Sequence, residues 1–199
     1  MVIVRILVGI VASGIALGAD LRGTITGADG PAVVYLAGNR LPPAGPGSLI
    51  IEHRRDGLFP EIAIAAVGSV LTLRNADAIF HNLFSMATGN HFETGFLPRG
   101  AGRTVTLSAS GVVPIFCRLH AQHSAVVVVA PSQWSVQVPG DANFVLANVP
   151  AGVHELVAWS RRRGVTRNRI SVPDSSVVQS VVHSEIRWDR PKAPAEGGF

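Results

Sequence analysis

Four side chains in this 199-residue sequence are of types, and at spacings, that suit a soft to borderline transition metal. The run Phe116-Cys117-Arg118-Leu119-His120-Ala121-Gln122-His123 lies between two apolar stretches. A cysteine and a histidine three apart on a tight loop can both face one point, and a histidine six after the cysteine can reach that point from the far side of the loop. Upstream, Asn75-Ala76-Asp77-Ala78-Ile79-Phe80-His81-Asn82 places a further histidine just beyond an alternating strand pattern. One thiolate with two imidazoles and a weaker fourth donor is a copper set: sulfur donation stabilises Cu(II), and soft sulfur also accommodates Cu(I). The candidate ligands are therefore His81, Cys117, His120 and His123, for one mononuclear copper ion.

Other candidates read differently. His91 and Glu93 lie in a loop that could approach a metal, although solvated or loop-bracing roles fit them better. His53 follows an apolar strand and reads as a structural histidine. Met86 is the only methionine beyond Met1 and could offer sulfur from the loop after His81. His154 and His183 read as surface or strand-face residues, and Trp134, Trp159 and Trp188 as packing residues.

The elements that must position the ligands are short strands. Glycine (21) and proline (13) are plentiful, valine is common and long charged helical stretches are missing. Strand patterns fall on residues 21–26 and 32–36 around the turn Gly27-Ala28-Asp29-Gly30-Pro31, followed by a linker at 38–48. A second strand-rich block covers about 49–130. Within it, 59–64 and 69–74 alternate, 103–107 follows a glycine-rich turn, and 112–116 leads into Cys117. The continuous apolar run Ala125 to Val129 fits a strand buried on both faces. A third block, about 131–187, has strand patterns at 134–138, 143–146, 154–159, 170–172 and 177–186. The tail 188–199, rich in Pro, Gly and charge, reads as disordered.

Residues 1–19 carry an early Arg5, an apolar core and small residues up to Ala19, the pattern of a cleaved secretory signal. The apolar core is short for a membrane span, and no other segment is long and apolar enough to form one. With a single cysteine, an exported chain has no internal disulfide, and coordination would protect the lone thiol. Five arginines crowd Arg161, Arg162, Arg163, Arg167 and Arg169, which reads as a solvated hairpin tip or a dock for an acidic partner. No aromatics interleave them, which argues against nucleic-acid binding.

Residues 59–130 resemble a plastocyanin-like cupredoxin domain. The resemblance rests on Phe59-Pro60, Gly68-Ser69-Val70, Asn75-x-Asp77-x-x-x-His81-Asn82, Gly100-x-Gly102 and Phe116-Cys117-x-x-His120-x-x-His123. The whole chain is similar to methylamine-utilization-type copper proteins, in which a cupredoxin is combined with a carboxypeptidase-regulatory-like β-sandwich. The stretches 23–30 and 140–156 carry the sandwich likeness. The resemblance implies an all-β fold: a Greek-key cupredoxin β-barrel or sandwich inserted in a second small β-sandwich. It divides the chain into a signal (1–19), first sandwich strands (20–48), cupredoxin (49–130), the rest of the sandwich (131–187) and the tail (188–199). It implies imidazole ligation by His81 and His120, thiolate ligation by Cys117, and a bracing role for Asn82.

The chain departs from the family at the position six after the cysteine, where a methionine is usual and His123 stands. A stronger axial donor implies a more tetragonal site with a lower potential. The expected role is that of a periplasmic, non-enzymatic carrier exchanging single electrons with a redox partner protein. Copper sequestration or delivery, an open site for a small molecule, and a vestigial site on an adhesion-type module are the alternatives.

Overall fold

The computed structural model describes residues 18–38, 40–173 and 181–187. Nearly all of the expected signal, the expected tail and Trp188 lie outside them. The described residues run through sixteen strands: β1 (Ala19–Thr26), β2 (Ala32–Ala37), β3 (Ser48–Arg54), β4 (Gly57–Phe59), β5 (Ile62–Ala66), β6 (Val70–Asn75), β7 (Leu83–Ser85) and β8 (Phe92–Glu93), then β9 (Gly102–Thr106), β10 (Gly111–Cys117), β11 (Ser124–Ala130), β12 (Ser135–Val138), β13 (Asn143–Val149), β14 (Gly152–Ser160), β15 (Gly164–Val172) and β16 (Val181–Arg187). There is no helix among the described residues, so the all-β expectation holds.

The strands form four sheets. Two are built wholly from residues between Ser48 and Ala130: β4-β3-β6-β9 and β5-β11-β10-β7-β8. The other two, β13-β1-β16 and β12-β2-β14-β15, join the first two strands to strands that follow Ala130. The chain thus leaves the second pair of sheets after β2, builds the first pair, and returns.

Period-two alternation builds the core of the first pair. On β10, Val113, Ile115 and Cys117 turn inward while Pro114 and Phe116 turn out. On β6, Leu71, Leu73 and Asn75 turn inward, and on β3 Ile51 and His53 do so. The inward apolar side chains of both sheets meet in one cluster with Leu58, Leu83, Leu107 and Val127. Thus the same parity that buries leucines at one end of the strands delivers His53, Asn75 and Cys117 to the other.

Strand β11 is buried on both faces, as its unbroken valines suggest. Ala125, Val127 and Val129 enter the barrel core. Val126, Val128 and Ala130 pack outward against Val33, Tyr35, Val157 and Trp159 of the second pair of sheets. Trp134 fills the separate core of that second unit and donates its indole N–H to the Ala147 carbonyl at 3.0 Å.

Two local expectations are corrected. Residues 59–64 are not one strand: β4 ends at Phe59, the Phe59-Pro60 peptide is cis, and β5 starts at Ile62 in the opposite sheet. Proline has no N–H for a ladder, so the chain changes sheets there. The arginine-rich stretch is not a single hairpin tip. Only Arg161–Arg163 form the turn, and Arg167 and Arg169 sit on β15, facing out.

Candidate metal centre

Strand β3 runs parallel to β6, with Ile51 beside Leu73 and His53 beside Asn75 at the ends of the pairing. Buried Asn75 organises the segment that follows. Its Nδ2 donates to the carbonyls of Ile79 (2.7 Å) and Leu97 (2.8 Å), and its Oδ1 accepts from Asp77 N (2.9 Å). The loop is held into a fixed path that ends at His81, which exchanges backbone hydrogen bonds with Leu97.

On the other sheet, β10 and β11 form a hairpin whose loop carries the remaining candidates. Cys117 N donates to the His123 carbonyl (3.2 Å) and His123 N to the His120 carbonyl (3.0 Å), which closes the loop on itself. Arg118 N donates to the Asn82 carbonyl at 2.9 Å, docking this loop onto the upstream one.

Asn82 has the bracing position expected of it. Its Nδ2 donates to Glu93 Oε1 (2.8 Å), and Glu93 takes a two-point contact from Arg118 (2.6 and 3.0 Å). The Arg118 and Asn82 donors hold the Glu93 carboxyl down to about 2. Glu93 therefore ties two loops together and does not join the ligand cluster. Met86 is exposed.

The result is a buried convergence of His53, His81, Cys117 and His120, with one ligand atom of each lying within 4.8 Å of all the others. Cys117 Sγ stands 3.6 Å from His81 Nδ1 and 3.8 Å from His120 Nδ1. Around an ion with bonds of about 2.3 Å to sulfur and about 2.0 Å to nitrogen, neighbouring donors lie roughly 3.5–3.7 Å apart. The two sulfur–nitrogen spacings are close to those of donors that share one ion, and the other donors lie near enough to join them. His53 and His81 are fully buried and stacked, ring centroids 3.5 Å apart. His120 is half-buried, between exposed Leu119 and Ala121.

The polar surroundings orient the rings. Asp77 Oδ2 lies 2.9 Å from His81 Nε2, on the side of the ring away from the thiol, so it fixes a proton on Nε2 and leaves Nδ1 free toward Cys117. Its bond to His81, with help from Ala78 N–H, lowers the Asp77 pKa. Burial, then the neighbouring imidazoles, push His53 down to about 4, and burial also lowers His123. Both are thus kept neutral, the form that binds metal.

Of the four residues that the sequence marks out, the structure brings His81, Cys117 and His120 together. His123 is buried next to them, its Nδ1 3.2 Å from His53 Nε2 and its ring 4.7 Å from that of His120. It lies outside the group of four mutually close ligand atoms. His53, read from sequence as structural, lies inside it. The signal for it was available in strand parity: His53 is two residues from inward Ile51, at the end of a strand facing the core.

No protein-family model and no curated protein matches the chain. Among solved structures it is similar to a purple cupredoxin from Nitrosopumilus maritimus, at 20% identity over 41% of this chain and 98% of that one, with a TM-score of 0.37. It is also similar to a copper-containing nitrite reductase from Thermus scotoductus, at 15% identity and a TM-score of 0.40, over 47% of this chain and 25% of that one. A third similarity is to a reduced Cu(I) form of an amicyanin variant, at 16% identity over 48% of this chain and 97% of that one, with a TM-score of 0.38. These similarities cover between 41% and 48% of the chain.

Proposed function

We propose that this protein is a periplasmic copper carrier that exchanges single electrons with a partner redox protein. Cys117, His81, His120 and a further imidazole would hold one copper ion. The carrying observation is the spacing of the cysteine sulfur from two imidazole Nδ1 atoms, 3.6 and 3.8 Å, in a cluster whose other members besides His120 are buried. A thiolate with imidazoles favours copper over the harder divalent ions, and bound copper would supply a one-electron couple. The protein's part is rigidity. His81 is fixed by Asp77 and Leu97, and the cysteine loop is pinned through Arg118, so the donors would keep their places around either oxidation state. Half-buried His120, the most exposed of the four clustered residues, would be the route to a docked partner. The export signal read in residues 1–19 and the lone cysteine support a periplasmic setting.

The test is the absorption and electron paramagnetic resonance spectrum of the copper-loaded protein beside Cys117→Ser. One copper per chain with an intense sulfur-to-copper charge-transfer band, lost in the variant, is expected. A band that survives the substitution would remove Cys117 from the site.

A second reading is copper sequestration or delivery, favoured by the number of imidazoles beside the thiol. Nitrogen-rich coordination stabilises Cu(II) and lowers the potential. Slow self-exchange at a low potential would support storage over carriage.

A further inference from the structure

We infer that His53, through Nδ1, is the fourth donor of the copper site, and that His123 is a positioning residue that holds His53 in place. This rests on the copper reading above and adds to it where the fourth ligand comes from: strand β3, not the cysteine loop.

His53 Nε2 is 3.2 Å from His123 Nδ1, so one of the two must carry the proton between them. His53 Nδ1 is buried and is the one buried side-chain nitrogen or oxygen, among the described residues, without a hydrogen-bond partner. Were His53 Nε2 the acceptor, Nδ1 would bear a buried N–H with nothing to receive it, at a cost of about 1–3 kcal/mol. With the proton on Nε2, donated to His123, Nδ1 becomes a buried lone pair in a residue whose ring stacks on His81 and which belongs to the ligand cluster. A metal is the partner such a lone pair lacks.

The same arrangement is seen at His81, where Nδ1 faces the thiol and Nε2 meets Asp77. Ligating histidines commonly give their second N–H to an acceptor that sets tautomer and orientation. His123 Nδ1 would play for His53 the part that Asp77 plays for His81. Its Nδ1 is engaged in that way, and His123 stands outside the group of mutually close ligand atoms. His123 has the firmness this needs: it is buried, and its backbone closes the cysteine loop through His120 and Cys117.

The full chain loaded with Cu(I), which is diamagnetic, permits a direct readout by long-range ¹H–¹⁵N spectroscopy of the histidine rings. Expected are a metallated Nδ1 and protonated Nε2 for His53, and a metal-free ring protonated at Nε2 for His123. Metallation of His123, or a metal-free His53, would overturn the inference even where the Cys117-dependent band is present. Absence of that band in the wild type would instead bring down the copper reading and this one with it. In a second arm, His123→Ala should weaken Cu(II) binding about 10–100-fold. His123→Asn, which retains an acceptor near the Nδ1 position, should restore most of it. Equal losses in both variants would deny His123 the positioning role.

Discussion

His53 and Asn75 are register partners at the ends of two parallel strands, and both point into the barrel. One is a member of the ligand cluster; the other fixes the loop that brings His81 to it. Asn75→Ala would remove the partner of the Ile79 carbonyl and the Asp77 N–H in a part-buried setting, and would leave the Leu97 carbonyl with the His81 N–H alone. Each lost partner costs about 1–3 kcal/mol, with some relief from water near Ile79. A loss of roughly 2–5 kcal/mol is expected in urea unfolding of the metal-free protein, and Asn75→Asp, which lacks the two donors, should be little better. A change below about 0.5 kcal/mol would show that the loop holds itself.

Asp77 is the acceptor that sets the His81 tautomer. Asp77→Ala should weaken copper binding about 10–100-fold, the usual effect of losing such a partner. Asp77→Asn should lose less, since its amide oxygen can still accept from Nε2. Competition against a chelator of known affinity reads both. An unchanged affinity in the alanine variant would mean that the Leu97 backbone pair and the His53 ring suffice to hold His81.

Much of the centre is legible in sequence, because the ligand loop is local. Cys117, His120 and His123 are close in the chain, and His81 follows a strand whose alternation is plain. The strand-rich composition likewise gives the all-β class. What is not legible depends on pairing between distant segments. That His53 stands next to Asn75 requires the parallel register of β3 on β6, across 22 residues of sequence separation. The division of labour between His53 and His123 depends on which ring nitrogens face each other, and spacing does not carry that. The break at Pro60 was obscured because Phe59 to Ile64 keeps its alternation through a corner where the chain changes sheets.

Acid should destabilise the metal-free protein well above the carboxylate range. His53 titrates near 4 when folded, against about 6.5 when unfolded. Between those values the unfolded chain binds the extra proton, so stability rises with pH and falls as pH drops from about 6.5 toward 4. From this group alone the loss between pH 7 and pH 5 is about 2 kcal/mol, and buried His123 acts in the same direction. The Glu93 contribution is lost lower, as pH falls from about 4.5 toward 2. Urea midpoints at pH 7 and 5 for wild type and His53→Gln check this. The variant should lose clearly less, and identical slopes would mean that His53 is not kept neutral by its surroundings.

Arg161 links the second unit to the ligand loop. It belongs to the β14–β15 turn, yet its guanidinium donates to Ser124 Oγ (2.9 Å) and to the Glu61 carbonyl (3.3 Å). Ser124 is the residue after His123, and the Glu61 carbonyl also accepts from Val126 N at 2.8 Å. Arg163 is similarly engaged, with the Gly27 carbonyl and Asp29, so this turn is anchored on both units. Because the Arg161 contacts are exposed, Arg161→Ala should cost no more than about 1 kcal/mol of global stability. Its effect should be local. The His123 and Cys117 amides, which close the ligand loop, should exchange hydrogen faster, while Val113 and Val127 in the barrel core keep their protection. Arg161→Lys, with one compact ammonium, cannot reproduce the fork and should fall between. Unchanged exchange at His123 in the alanine variant would show that the loop is held from within the barrel alone.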